Sequence, residues 1–194
     1  MRVFVAVDIE GIAGVVNSEE GARGNPEYER ARRLMTAEAN AVVAGIFDAD
    51  SDARVTVADV HGSYRNIIPE DLDERATFSR GKPKMLGMVD GIDRGYDAAM
   101  FVGVHGKAGS DNAVLSHTFT GTILDVEING RSMGDLGLNA AVAGSYNVPV
   151  LLVAGDQTVA DEARDLFVYT RLRNGLFDSL GDACPRAVCT TAAP

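Results

Sequence analysis

The residues best suited to metal chemistry stand at the ends of apolar runs in this chain of 194 residues. His61 and His105, two of the three histidines, each follow such a run and directly precede a glycine. Asp8 and Glu10 follow the first apolar run, and the side-chain period of a strand places both on one side. Imidazoles combined with carboxylates suit zinc or a similar divalent ion, whereas an all-oxygen set would indicate magnesium or calcium. These four residues are therefore candidate ligands of one metal site.

Three further residues could serve such a site, and each also has an ordinary structural role open to it. His117 could be a third imidazole ligand, a general acid or base, an oxyanion-stabilising group or a simple loop histidine. Asp135 opens a predicted helix, and the sequence alone favours an N-cap over a metal ligand there. Asp59 should share the strand face of His61, where it could orient the imidazole. The residue types alone leave these alternatives open.

Apolar strands alternating with helices predict how the candidate ligands come together. Four apolar runs, each ending in polar residues, are typical of buried strands. A strand, a helix and a second strand form a parallel βαβ unit, and the carboxyl ends of parallel strands meet at the edge where ligands bind. The predicted strands begin at Arg2, Arg54, Ala98 and Val148, and the predicted helices span Tyr28 to about Phe47, Asp135 to Ser145 and Thr158 to about Phe167.

The expected architecture is an α/β fold with a doubly wound, mostly parallel central sheet and flanking helices. Partial alternation over Thr120–Gly130, ending in an Asn-Gly turn, adds an antiparallel excursion or hairpin. Residues 1–167 form the predicted domain, with the metal site at the carboxyl edge of the strands. Residues 168–194 lose any clear period and contain both cysteines, so we interpret them as an atypical tail, either truncated or frame-shifted.

Composition and charge argue against several classes of binding partner. Hydrophobic residues make up 46% and charged residues 24%, which is ordinary globular usage. The 18 basic and 28 acidic residues give a net charge of −10, which disfavours nucleic-acid and membrane-surface partners. The segment Gly11-Ile-Ala-Gly14 matches neither GxGxxG nor a P-loop, so nucleotide binding is rejected. The lack of a signal-peptide pattern and the presence of only two cysteines, Cys184 and Cys189, favour a cytoplasmic setting.

Five short segments, in order along the chain, resemble the motifs of one known family. They are Val7-Asp-Ile-Glu-Gly-Ile-Ala-Gly14, Asp59-Val-His61, Gly103-Val-His-Gly-Lys-Ala108, Leu115-Ser-His117 and Gly134-Asp-Leu-Gly-Leu-Asn-Ala-Ala-Val-Ala-Gly144. Together they are similar to the zinc-dependent D-aminopeptidases of the dipeptide-transport-associated type, peptidase family M55. The resemblance extends from residue 1 to about residue 167, and five ordered motifs are far more specific than any one of them.

The resemblance implies a role for each candidate residue. Asp8 matches a family ligand that bridges a pair of zinc ions. His117 matches the catalytic histidine of the family, which assists proton transfer or holds the substrate or the attacking water. Asp135 occupies the position of a family glutamate, and aspartate keeps the carboxylate while shortening its reach to a metal. The metal ligands implied by the resemblance are Asp8, Glu10, His61, His105 and Asp135.

The activity implied by the resemblance is metal-dependent aminopeptidase hydrolysis of short peptides or amides with an N-terminal D-amino acid of the D-Ala type. A paired-zinc site would activate a water molecule and polarise the scissile carbonyl. The resemblance also implies a ring-like homo-oligomer, a decamer in the family. Two alternatives remain: a catalytically impaired metal-binding relative, in which Asp135 and the altered tail have removed catalysis, and an amidohydrolase acting on a non-peptide amide at the same metals.

Overall fold

Seven strands and three α-helices organise residues 1–167, the part of the chain that the computed structural model describes. The strands are β1 (Arg2–Val7), β2 (Arg54–Asp59), β3 (Thr77–Ser79), β4 (Ala98–Val104), β5 (Glu127–Ile128), β6 (Arg131–Ser132) and β7 (Val150–Gly155). Five of them form one sheet in the order β3-β2-β1-β4-β7, and every neighbouring pair is parallel. The strand order winds outward in both directions from β1, so the predicted doubly wound parallel sheet is confirmed.

The helices cover both faces of this sheet. They are α1 (Tyr28–Ala49), α2 (Asp135–Ser145) and α3 (Gln157–Leu166). Successive residues of β1 enter opposite cores, because side chains alternate along a strand. Val5 belongs to the core that contains Met35 of α1, whereas Phe4 belongs to the core that contains Leu136 of α2. The predicted flanking helices are confirmed, and α1 continues two residues beyond the predicted end near Phe47.

The carboxyl ends of β1 and β4 approach each other closely at Gly103. This glycine has a φ of 68°, and the pairing register of β4 with β7 shifts between Val102 and Val104. A Cβ atom at Gly103 would lie 2.3 Å from the backbone oxygen of Asp8 and 2.5 Å from Cδ1 of Ile12. The missing side chain therefore lets the loop after β1 lie directly against β4, where the candidate ligands are.

The antiparallel excursion is a short hairpin of β5 and β6. Asn129 and Gly130 form its turn with φ values of 53° and 77°, as a two-residue type I′ turn requires. The predicted hairpin and its Asn-Gly turn are confirmed, and the paired residues are Glu127–Ile128 and Arg131–Ser132.

The described helices all precede the predicted tail. Within residues 1–167, no helix is both long enough and apolar enough to cross a membrane. The predicted atypical tail, residues 168–194 with Cys184 and Cys189, lies outside the described residues.

Candidate metal centre

Six of the seven candidate side chains meet at the carboxyl edge of the sheet. They are Asp8, Glu10, His61, His105, His117 and Asp135. One group of potential ligand atoms, from Asp8, Glu10 and His61, lies within 4.8 Å of one another. A second group, from Glu10, His105 and His117, meets the same limit. Because Glu10 belongs to both groups, the two form one continuous cluster.

Asp8 sits between the two imidazoles that follow β2 and β4. Its Oδ1 lies 3.2 Å from Nδ1 of His61, and its Oδ2 lies 3.8 Å from Nε2 of His105. The carboxylate thus presents one oxygen to each ring. This arrangement suits the bridging position that the resemblance implies for Asp8.

Glu10 lies on the same side of the chain as Asp8 and touches all three histidines. Its Oε2 is 3.1 Å from Nδ1 of His61 and 3.8 Å from Nε2 of His105. Its Oε1 is 3.8 Å from Nδ1 of His117. The two carboxylates thus lie on one side, as the sequence predicts, although β1 ends at Val7 and both residues belong to the loop that follows it.

His61 is oriented by a backbone carbonyl. Its Nε2 lies 3.2 Å from the carbonyl oxygen of Gly21, so this nitrogen carries the hydrogen and donates it. Nδ1 then faces Asp8 and Glu10, to which it donates a hydrogen when the ring is protonated and beside which its lone pair is available to a cation once that proton leaves. Ligand histidines commonly have their other ring nitrogen bound in this way, which fixes both tautomer and ring plane.

A short 3-10 helix, Ser18–Gly21, holds that carbonyl in place. Asn17 caps the helix by accepting from the Glu19 N–H, and Glu20 Oε1 accepts from the N–H groups of Val16 and Asn17 at 2.9 and 3.0 Å. Sequence reasoning missed Gly21 as a contributor to the site. The Asn17 to Glu20 spacing signals a capping box, but nothing in it indicates contact with His61.

His105 presents a buried nitrogen that lacks a hydrogen-bond partner. Its Nδ1 lies 3.0 Å from the backbone oxygen of Gly106, whereas Nε2 has no partner among residues 1–167. The nearest carboxylate oxygen to Nε2 belongs to Asp135, at 3.4 Å. Buried polar atoms are rarely unsatisfied in folded proteins. Ligand atoms at about 2.0–2.2 Å from a tetrahedral zinc ion stand about 3.4 Å apart, so a divalent cation fits this gap.

His117 is carried to the cluster by the loop after β4. Its N–H donates to the backbone oxygen of Gly106 at 3.2 Å, and its ring stacks on that of His105 with centroids 4.0 Å apart. The side chain of His117 is 23% exposed, whereas that of His105 is 2% exposed. A substrate can therefore reach His117 more easily than His105.

Asp135 is the first residue of α2 and does not cap the helix. The N-cap is Gly134, without a side-chain hydrogen bond, so the N-cap interpretation favoured by sequence alone is wrong. Asp135 Oδ1 instead accepts from the N–H of Phe119 at 2.8 Å, and Oδ2 faces Nε2 of His105. The side chain points into the cluster, where it is able to act as a ligand.

Asp59 does not orient the imidazole of His61, so that expectation is wrong. Its carboxylate accepts from the N–H groups of Asn66 and Ile67 at 2.5 and 2.8 Å and from Nδ2 of Asn66 at 2.8 Å. The same Nδ2 donates to the backbone oxygen of His61. Burial raises the pKa of Asp59, and the accepted N–H groups partly offset this. Asp59 therefore closes the loop that follows β2 and acts on the backbone of His61 alone.

The cluster binds protons tightly in the absence of a cation. Burial lowers the pKa of His61, but Asp8 and Glu10 overcome this and raise it to about 11. Burial likewise opposes protonation of His105, but Asp135 and Asp8 raise its pKa to about 9. Burial raises the pKa of Asp8, yet His61 and His105 bring it below its ordinary value. A divalent cation would replace these protons as the positive charge among the carboxylates.

Comparison with known proteins places this fold and cluster in a family. A family model described as D-aminopeptidase, Peptidase M55, matches residues 1–174. The chain belongs to this family. A curated D-aminopeptidase of Bacillus subtilis is 40% identical over 166 residues, which make up 86% of this chain and 60% of that protein.

A solved structure supports the same placement of this D-aminopeptidase family member. The Zn-dependent D-aminopeptidase DppA from Bacillus subtilis, described as a self-compartmentalizing protease, is similar with a TM-score of 0.82 and 40% identity. The match covers 86% of this chain and 60% of that chain. The family member studied here thus spans about three fifths of the length of the curated relative and of the solved structure.

Proposed function

We propose that this chain is a zinc-dependent aminopeptidase that hydrolyses short peptides or amides with an N-terminal D-amino acid of the D-Ala type. The observation that carries the proposal is the buried, unpartnered Nε2 of His105 facing the carboxylates of Asp8, Glu10 and Asp135 at the carboxyl edge of the sheet. The D-specificity and the choice of zinc are proposed by similarity to the D-aminopeptidase and the Zn-dependent D-aminopeptidase DppA from Bacillus subtilis.

The proposed site holds a pair of zinc ions. Asp8, which faces both His61 and His105, would contribute a ligand oxygen to each ion, and Glu10 and Asp135 would add the remaining negative charge. Two imidazoles and three carboxylates suit zinc in donor type and in charge. The proposed ligand set is Asp8, Glu10, His61, His105 and Asp135.

The reaction that this site supports is metal-assisted amide hydrolysis. Bound zinc supplies Lewis-acid chemistry, lowering the pKa of water and polarising a carbonyl. His117 holds or moves a proton at the half-exposed edge of the cluster, where Nδ1 lies 3.8 Å from Glu10. The buried carboxylate of Asp8 remains ionised beside the imidazoles and keeps the site negatively charged before a cation binds.

The proposed functional state is a homo-oligomer, ring-like as in the family and a decamer by resemblance. The description of the similar structure from Bacillus subtilis as a self-compartmentalizing protease supports self-association. Size-exclusion chromatography with light scattering over a range of concentrations tests this assembly. A particle that remains monomeric at the concentration used for activity assays would contradict it.

The test of the proposed function combines metal content with substrate stereochemistry. The full chain, purified and supplied with zinc, should contain about two zinc ions per chain and should cleave D-alanyl p-nitroanilide but not the L-alanyl compound. A chelator should abolish cleavage, zinc should restore it, and His105→Ala should lose metal. Bound zinc without cleavage would favour the catalytically impaired relative. Cleavage of non-peptide amides alone would favour the amidohydrolase. The absence of bound metal would refute the D-aminopeptidase and both alternatives.

A further inference from the structure

Two lysines stand beside one aromatic ring near the candidate metal centre. Nζ of Lys82 lies 5.3 Å, and Nζ of Lys84 6.0 Å, from the ring centroid of Tyr64. Within residues 1–167, neither ammonium has a carboxylate oxygen within 4.0 Å, although the chain carries a net charge of −10. Lys84 Nζ donates to the hydroxyl of Ser79 and is half-buried. The carboxylates of Asp90 and Asp59 act on Lys84 from beyond ion-pair distance, so both ammonium groups remain able to bind an anion that approaches more closely.

Tyr64 connects the lysines to the metal centre. Its N–H donates to the backbone oxygen of His61 at 2.8 Å, so it lies in the turn directly after that ligand. It has a φ of 57°, a conformation that bulky side chains adopt rarely and mostly at functional sites. Burial raises the pKa of its phenol, and the carboxylates of Asp8 and Asp135 raise it further, which places the ring within the field of the cluster.

The segment Gly81–Gly87, which carries both lysines, contacts the turn after His61 at one end and helix α2 at the other. At its start, the N–H of Gly81 donates to the backbone oxygen of Tyr64 at 2.6 Å. At its end, Gly87 lies against Asn139, since a Cβ atom there would be 3.5 Å from Asn139 Oδ1. Asn139 Nδ2 in turn donates to the backbone oxygen of Asp135. The segment that carries the lysines is therefore tied at one end to the turn after His61 and at the other end to the first turns of α2, which begins with Asp135.

We propose that Lys82, Lys84 and Tyr64 form a subsite that binds the free carboxylate at the C-terminus of a short peptide substrate. This inference rests on the proposed function. When the scissile carbonyl lies at the metal centre, the next α-carbon of a dipeptide is about 3.8 Å further on, and its carboxylate follows directly. The subsite thus recognises the end of the peptide that the metal centre does not touch.

The chemistry of the three side chains matches a carboxylate. Each ammonium offers three N–H donors, and charge-assisted hydrogen bonds to a carboxylate are about twice as strong as neutral ones. The phenol of Tyr64 carries its hydrogen at neutral pH, so its hydroxyl is a further donor. An amide at the same position carries no charge and gains little from Lys82 and Lys84. The subsite therefore distinguishes a peptide acid from its amide.

The test compares D-alanyl-D-alanine with its C-terminal amide on the zinc-loaded full chain. We expect kcat/KM for the acid to exceed that for the amide about tenfold, the ratio that one charge-assisted interaction provides. The double variant Lys82→Gln, Lys84→Gln should bring the ratio close to one by raising KM for the acid, with kcat and the amide reaction retained. Lys84→Arg, which keeps the charge, should retain most of the preference.

The matched control is Arg33→Gln, which removes a positive charge from an exposed residue of α1. This variant should leave the ratio of kcat/KM for the acid to kcat/KM for the amide unchanged. Equal kcat/KM values for acid and amide, or a preference that survives in the double lysine variant, would overturn the inference. Isothermal titration calorimetry of the acid and the amide with the same proteins measures the preference for the acid even if neither peptide is cleaved. Failure of the proposed activity is therefore distinguishable from failure of the subsite.

Discussion

Nε2 of His61 donates a hydrogen bond of 3.2 Å to the backbone carbonyl of Gly21, and this contact determines which ring nitrogen faces the carboxylates. It joins the loop after β1 to the loop after β2, across 40 residues of sequence. Any cation bound between Asp8 and His61 therefore depends on a backbone group that contributes no side chain. A side chain at position 21 would require the neighbouring atoms of His61 and Ile9 to move by a few tenths of an ångström.

The first prediction concerns Gly21→Ala. The added Cβ would lie 3.1 Å from Nε2 of His61 and 3.0 Å from Cγ2 of Ile9, so the imidazole must shift away from its present position. Loss of such an orienting contact typically costs about 10- to 100-fold in metal affinity. Zinc affinity, measured by competition with a chromogenic chelator, should fall by that factor.

Gly144→Ala is the matched control for this change. Gly144 lies on α2, and a Cβ atom there would meet no atom within 4 Å. We expect unchanged zinc affinity and a slight gain in stability, because alanine is the better helix former. Equal zinc affinities for Gly21→Ala and the native chain would show that the carbonyl contact does not position His61.

Much of the fold and most of the cluster follow from local sequence patterns. Asp8, His61 and His105 each come just after an apolar run, and parallel strands necessarily bring such positions to one edge. Glu10 lies on the side that the period of two predicts, but the turn after β1 sets its position. The doubly wound sheet requires only these runs and the helices between them, which is why the sequence predicts it well.

Contacts between loops were not predictable in the same way. The carbonyl of Gly21 reaches His61, and the segment with Lys82 reaches Tyr64, through loop conformations that no hydrophobic period encodes. The shared strand face predicts a contact between Asp59 and the imidazole of His61, but the following loop turns back and occupies the Asp59 carboxylate. The cytoplasmic setting and the nature of residues 168–194 stay predictions.

The second prediction distinguishes two roles of His117. Its Nδ1 lies close enough to Glu10 and His105 to belong to a metal-binding group, yet its side chain is the more exposed of the two stacked rings. If it moves a proton, His117→Gln should lower kcat about 10²- to 10⁴-fold while the zinc content stays unchanged. Zinc content by mass spectrometry and steady-state kinetics on one preparation decide this, and loss of one zinc ion would identify His117 as a ligand.

The third prediction concerns the short carboxylate of Asp135. Its Oδ2 approaches Nε2 of His105 to 3.4 Å while Oδ1 is occupied by the N–H of Phe119. Asp135→Asn keeps the size of the side chain and its hydrogen bond from Phe119 but removes the negative charge. The zinc ion that Asp135 would help to hold should therefore be lost or bound about tenfold less tightly. Asp135→Glu restores the longer reach and should keep both ions. Two tightly bound zinc ions in Asp135→Asn would exclude a ligand role.

The fourth prediction concerns stability and Glu38, a buried residue of α1 behind the loop that carries Glu10. Its Oε1 accepts from the N–H of Ala13 at 2.8 Å, and burial raises its pKa from 4.5 to about 7. Because the folded state holds this proton more tightly than the unfolded state, the stabilisation is complete below pH 4.5 and is lost as the pH rises to about 7. At about 1.4 kcal/mol per pKa unit, the loss is about 3 kcal/mol.

Glu38→Gln keeps an oxygen that accepts from Ala13 and removes the titration. Urea unfolding at intervals from pH 5 to pH 8 should show the variant gaining stability relative to the native chain, and the gain should level off above pH 7. Glu29→Gln, on the exposed part of the same helix, should show a nearly constant difference because its ion pair with Arg32 is solvent-exposed. A constant difference for Glu38→Gln as well would mean that the buried carboxyl is ionised throughout this range and that its charge is balanced by the backbone of the metal-binding loop.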